Sequence, residues 1–182
     1  MVVSMLVGRG AAARLVASLA EVGPGDEVVD IGCGPGAAVR EAARRGAGAV
    51  GIDPSVAMLK LARWITSLLR LKEVRFVEGS AESLPISDAS ATVVWALSSV
   101  HHWCDRSMGL AEAWRVLQPG GKLFLAERSL VTGARAHAGH GVTAQQVEKL
   151  EREVSAVGFA NVEAHPKRAR RKRLVVVSAV RT

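Results

Sequence analysis

The nine residues Val28-Val29-Asp30-Ile31-Gly32-Cys33-Gly34-Pro35-Gly36 constrain this chain more than any other stretch. Two apolar residues lead into an acid, and three glycines then arrive at alternate positions. An alanine-rich helical run follows, from Ala37 to about Arg45. This order reads as a buried parallel strand that ends near Asp30 and turns through a loop stripped of side chains. Such a loop lets backbone N–H groups and a helix start come close to a ligand. The second fixed point is Val50-Gly51-Ile52-Asp53, a short apolar strand ending in an acid 23 positions after Asp30. A nucleoside-binding α/β fold places the carboxylate that grips a ribose diol at about this distance.

Hydrophobic period and turn chemistry organise the rest. Residues 10–22 read as a helix with Ala11, Leu15, Val16, Leu19 and Ala20 at helical spacing, stopped by Gly23-Pro24-Gly25. Strands are expected at 27–32, 48–53, Val74–Glu78, Thr92–Leu97 and Lys122–Glu127. The fourth is apolar on both faces, as a central parallel strand is. Pro54-Ser55 opens a helix to about Leu71, and Asp105 to Leu117 forms another, closed by a Pro119-Gly120-Gly121 turn. Residues 129–142 read as a loop above the site, and Thr143 caps a helix that Gly158 ends. Two last strands, 161–165 and 173–180, form a hairpin at the sheet edge, with 166–173 as its basic turn.

Composition sets bounds. The 182 residues form one domain, 1–182, whose first nine residues are a short N-terminal segment. Nearly half of the residues are hydrophobic, enough for a core without staples. Two cysteines, Cys33 and Cys104, make no disulfide framework and suit a reducing cytoplasm. No apolar run has the length of a membrane-spanning helix. The formal charge of +7 is unevenly spread. Residues 163–182 hold seven Lys/Arg and one Glu, so the remainder of the chain is close to neutral. The run Lys167-Arg168-Ala169-Arg170-Arg171-Lys172-Arg173 could hold RNA phosphates, an anionic membrane surface or an acidic substrate. Its plainer reading, the one favoured on sequence, is a solvated turn that also resists edge pairing.

The glycine loop with its acid two residues upstream resembles motif I of the class I S-adenosylmethionine-dependent methyltransferases. The resemblance extends to Phe76-Val77-Glu78-Gly79-Ser80-Ala81-Glu82-Ser83-Leu84-Pro85, to Val100-His101-His102-Trp103 and to Glu112-Ala113-Trp114-Arg115-Val116-Leu117-Gln118-Pro119-Gly120-Gly121. The closest likeness is to the branch that includes the ubiquinone/menaquinone-biosynthesis methyltransferases (the methyltransferase type 11 branch). It implies an α/β Rossmann-like three-layer sandwich, with a seven-stranded, mostly parallel sheet of order 3-2-1-4-5-7-6 and strand 7 antiparallel. It implies S-adenosylmethionine as cofactor, S-adenosylhomocysteine as product, a small-molecule acceptor and a homodimer as one assembly.

The same resemblance assigns residues. Gly32, Cys33, Gly34 and Gly36 pass beneath the methionine and ribose portions, and Asp30 organises the turn and attracts the cofactor's ammonium. Asp53 accepts from both ribose hydroxyls, and Pro54 and Met58 line the adenine. Ser80, Ala81, Glu82, Leu97 and Ser98 complete the cofactor shell. Relatives usually carry aspartate at the position of Ser80 and Phe-Asp at Ala91-Thr92. These departures, the absence of tyrosine and a short lid at residues 1–9 imply modest cofactor affinity or a site completed by substrate or another subunit. His102, past the fourth strand, is the candidate general base. His137 and His140 have metal-like spacing but lack nearby acids or cysteines, so no metal site is expected. Two alternatives remain: an RNA methyltransferase that uses the basic hairpin, and a non-catalytic cofactor-binding protein of the same fold.

Overall fold

The structure, a computed structural model, describes residues 2–130 and 141–182, with side chains from residue 10 onward. His137 and His140 lie outside the described residues.

One seven-stranded sheet carries the fold, in the order β3-β2-β1-β4-β5-β7-β6. Its strands are β1 (Glu27–Ile31), β2 (Gly48–Asp53), β3 (Val74–Glu78), β4 (Ala91–Leu97), β5 (Leu117–Arg128), β6 (Phe159–Ala169) and β7 (Lys172–Arg181). The first five pair in parallel, and β7 runs antiparallel to both of its neighbours. This is the order the motifs imply. Helices α1 (Val2–Leu19), α2 (Ala37–Arg44) and α3 (Val56–Leu68) cover one face. Helices α4 (Arg106–Val116) and α5 (Ala144–Val157) cover the other. Side chains along each strand alternate between the two cores: Val93, Trp95 and Leu97 face the first, Val94 and Ala96 the second. Both faces are therefore apolar, which explains the continuous hydrophobic run of β4.

Capping chemistry starts three helices. Ser55 accepts the Met58 N–H at 3.4 Å, and Asp105 accepts that of Met108 at 3.1 Å. Thr143 and Gln146 form a reciprocal capping box. Gly158, with φ 112°, closes α5 as expected.

Several boundaries differ from the sequence reading. The first helix begins at Val2 and ends at Leu19, so residues 2–9 continue it instead of forming a separate segment. The fifth strand begins at Leu117: the Pro-Gly-Gly turn sits inside it as an irregularity, because Ala91 pairs with Leu117 and Val93 with Lys122. The sixth strand runs much further than expected, to Ala169, and the seventh gains one residue at each end, leaving only Arg170 and Arg171 as the turn. Paired backbone, not loop, carries the basic run. Residues 129–142 are drawn together at their ends, where Ser129 and Val142 form a bridge.

Arg115 gives its segment a structural task. Its guanidinium bonds Glu112 and Asp88, and it donates to the carbonyls of Leu84 and Ile86 at 3.1 and 2.9 Å. Glu112 in turn accepts the Leu84 N–H at 2.7 Å. Helix α4 thereby fixes the loop that follows β3. The guanidinium holds the Glu112 carboxyl below its usual range, against an upward push from burial and with further help from the Leu84 N–H.

Candidate active site

The carboxyl ends of β1, β2, β3 and β4 converge on one cavity of about 340 Å³. Its wall includes Gly32, Asp53, Pro54, Ser80, Ala81, Glu82, Ser98 and His102, all expected from the sequence. Ile31, Ile52, Gly79, Ser99 and Cys104 also line it and were not anticipated, and so does Trp103, for which the sequence left a place in the pocket wall or in packing open. Asp30, Cys33, Gly34, Gly36, Met58 and Leu97 were expected and do not line it.

The glycine loop is held by the strand beside it. Gly32 and Cys33 both donate their N–H groups to the Ile52 carbonyl, at 2.8 and 3.0 Å. Gly34 donates to Asp53 Oδ2 at 2.8 Å, and Ser55 donates to Oδ1 at 2.9 Å. Asp53 is 8 % exposed and opens on the cavity. Beneath the loop, the buried Arg40 donates to the Pro35 carbonyl at 2.6 Å. Burial is the main cause that lowers its pKa, followed by the neighbouring Arg44.

Packing, more than ligand clearance, explains two of the glycines. At Gly32 (φ 72°) an added Cβ would fall 2.5 Å from Ser99 Cβ. At Gly36 (φ 75°) it would fall 2.6 Å from Phe76 Cε1. Both positions combine left-handed backbone with contact distances no side chain tolerates. Cys33 is buried on the opposite side of the loop, where its sulfur fills the space above Gly51. Asp30 is 2 % exposed and paired in register with Gly51 and Trp95. Leu97 belongs to the core. Met58, in the first turn of α3, faces outward and is 40 % exposed.

Ser98 and Ser99 shape the β4 end. Ser98 adopts φ 54° and donates its N–H to the Ala126 carbonyl at 2.7 Å. Ser99 donates its hydroxyl to the Ile31 carbonyl at 2.7 Å. A non-glycine residue in the left-handed region is uncommon and tends to mark sites where backbone position matters. This signal could not be read from residue types.

Glu82 does something the sequence reading did not foresee. Its Oε1 accepts the N–H groups of Cys104 and Asp105, at 2.7 and 3.2 Å. Burial raises its pKa. Bonds from its own N–H, the Asp105 N–H, the Ser80 hydroxyl and the Cys104 N–H outweigh that and hold it below the usual carboxylate range. Glu82 therefore pins the segment that starts α4 to the loop after β3.

Beyond that segment lies a second cavity of about 480 Å³. His101, Trp103, Cys104, Arg106 and Glu153 are among its walls, so Trp103 and Cys104 border both cavities. His101 sits on a 3-10 turn (Val100–His102), and its Nδ1 lies 2.9 Å from Glu127 Oε2. Glu127 is 2 % exposed, and its other oxygen has no hydrogen-bond partner among the described residues. The sequence reading favoured His102. The structure gives the buried carboxylate to its neighbour, and His102 faces the first cavity.

Thr92 lies at the other end of β4. Its hydroxyl donates to Asp26 Oδ1 at 2.7 Å and accepts the Glu27 N–H at 3.0 Å. Its departure from the usual pattern therefore concerns the amino edge of the sheet and not the cavity.

Comparisons with known proteins agree with this architecture. Residues 29–125 match the family model described as "Methyltransferase domain". The chain is 36% identical over 165 residues to the 27-O-demethylrifamycin SV methyltransferase of Amycolatopsis mediterranei, covering 87% of this chain and 60% of that one. It is 37% identical over 111 residues to a demethylmenaquinone methyltransferase of a Mycobacterium species, covering 61% and 45%. The chain thus spans about half of the length of these curated relatives. A crystal structure described as a SAM-dependent methyltransferase from Aquifex aeolicus superposes with a TM-score of 0.79 at 16% identity, over 93% of this chain and 89% of that one. The match over more than half of the chain, together with the strand order and the glycine loop, means that this protein belongs to the methyltransferase domain family.

Proposed function

We propose that this protein transfers a methyl group from S-adenosylmethionine to a small-molecule oxygen, carbon or nitrogen acceptor, releasing S-adenosylhomocysteine. The observation that carries this reading is the meeting of Gly32, Asp53 and the 79–82 segment around one cavity at the carboxyl edge. α/β folds bind nucleotides at that edge. The residues fit the cofactor. Each Asp53 oxygen already accepts one backbone N–H, and each keeps a further lone pair for a ribose hydroxyl. Ser80 and Ala81 offer the adenine side a small, neutral wall.

When bound, the cofactor supplies an electrophilic methyl on a positively charged sulfur. The chain's task is to hold both partners in line and keep water out. Such positioning is worth roughly 7–11 kcal/mol. We seat the acceptor in the larger cavity, with its reacting atom at the margin that Trp103 and Cys104 share with the first. The names of the rifamycin and menaquinone relatives support a small organic acceptor. For acceptors that must lose a proton, we assign the base to His101 in place of His102. Glu127, accepting from Nδ1–H, selects the tautomer in which Nε2 is basic. Glu127 is then a positioning residue.

Calorimetric titration with S-adenosylmethionine and S-adenosylhomocysteine tests the reading. Micromolar binding that weakens at least tenfold in Asp53→Asn is the expected result. A folded wild type that binds neither ligand would overturn it.

A further inference from the structure

The basic hairpin is built in a way that edge protection does not explain. Six cations, Lys167, Arg168, Arg170, Arg171, Lys172 and Arg173, lie on or beside the β6–β7 turn, and residues 166–173 contain no acid. Arg168 and Arg173 sit directly opposite each other in the ladder. Like charges in that position destabilise a strand pair. Among the described residues, none of the six makes an ion pair. Charges that protect an edge belong on the edge strand itself. Here four of the six cations lie in the turn or on β7, which is an interior strand.

The location of the turn is informative. β7 is antiparallel, and Leu174 pairs with Arg128 at the very end of β5. Lys172, Arg173 and the turn therefore project past the carboxyl edge, the edge on which the cavities open. Large apolar side chains are exposed along the same edge. Val56 (44 %) and Met58 (40 %) lie in the first turn of α3, directly after β2. Met108 (53 %) lies in the first turn of α4. Helices that follow parallel strands start at that edge by topology.

We propose that this edge docks on an anionic lipid bilayer, with the hairpin cations on the headgroup phosphates and Val56, Met58 and Met108 at the acyl boundary. Cations and exposed apolar residues on one edge of the molecule form the combination that binds membrane interfaces. Nucleic acid would use the cations but gives no role to the three apolar side chains. Docking in this way turns the cavity mouths toward the bilayer. The surface stands on charge and exposure alone and does not depend on the methyl-transfer reading.

Co-sedimentation with vesicles tests it, comparing pure phosphatidylcholine with phosphatidylcholine containing phosphatidylglycerol. The protein should bind only the anionic vesicles, and high salt should release it. In the quadruple variant Arg168→Ser, Arg170→Ser, Arg171→Ser, Arg173→Ser, partitioning should fall by roughly a hundredfold or more. Removing like charges from the ladder should leave the fold intact, which thermal melting checks. The double variant Val56→Ser, Met108→Ser should weaken vesicle binding several-fold while leaving its salt dependence in place. Failure of the wild type to bind anionic vesicles overturns the proposal, as does binding that the quadruple variant retains. Tighter binding to a structured RNA than to anionic vesicles at equal salt, lost in the quadruple variant, would assign the surface to nucleic acid instead.

Discussion

Gly34 donates its backbone N–H to Asp53 Oδ2 at 2.8 Å, so the acid that ends β2 also fastens the loop that follows β1. Its other oxygen takes the Ser55 N–H. Asp53→Ala should therefore cost stability as well as ligand, because each N–H left without an acceptor costs roughly 1–3 kcal/mol. Asp53→Asn retains one good acceptor and should melt between wild type and the alanine variant. Denaturation of both variants, with and without S-adenosylmethionine, separates the two roles. Equal melting of wild type and Asp53→Ala would show that the two bonds contribute nothing.

At Gly36 the constraint is the Phe76 ring. Gly36→Ala should destabilise by about 1–3 kcal/mol from overpacking, with left-handed strain added. Phe76→Ala makes a cavity and should itself cost roughly 3–5 kcal/mol. In the double variant the penalties should be less than additive, because the missing ring removes the clash. Strict additivity in urea unfolding would contradict the packing account.

For a proton-losing acceptor, Glu127→Gln should lower kcat with little change in KM or cofactor affinity. His101→Gln should lower kcat by roughly 10²–10⁴-fold, the usual worth of a general base. The acid-side limb of the kcat/KM profile should disappear with it. A turnover defect in His102→Gln together with a normal His101→Gln would return the role to His102.

Glu82 and Glu112 predict acid sensitivity. Both carboxyls are held below their usual range. A group with a depressed folded pKa binds its proton less readily when folded. Its contribution is complete above the unfolded value, about 4.3, and is lost as pH falls through the folded value. Glu112→Gln should flatten the fall in stability below about pH 4 and lower stability at neutral pH. An unchanged acid limb in denaturant melts would exclude Glu112 as a contributor.

How far the sequence spoke depended on what each residue had to satisfy. The β1 loop and Asp53 were legible because turn geometry permits few residue types there, and the spacing of two strand ends is fixed by one helix. The strand order came with the motifs. Met58 does not line the cavity, because a contact inferred from a motif ignores helix phase: the third residue of α3 points outward. Glu82 could not be read because a carboxylate that braces a neighbouring N–H pair looks, as a letter, like a solvated one. His101 and His102 are adjacent and chemically identical; what sets them apart is tertiary, the cavity each lines and the buried Glu127, 26 residues away, beside His101. The long β6–β7 ladder was hidden because six cations mimic a solvated turn.

The segment bearing Trp103 and Cys104 is a margin common to two cavities, and Glu82 bolts it to the β3 side. A change there that reshapes the larger cavity must move or strain the same wall of the first. On the proposed seating of the acceptor, new preference is therefore reached more readily through the His101–Glu153 side of the larger cavity, where the walls are not shared. Substitutions at Trp103 would instead carry a correlated penalty in cofactor affinity.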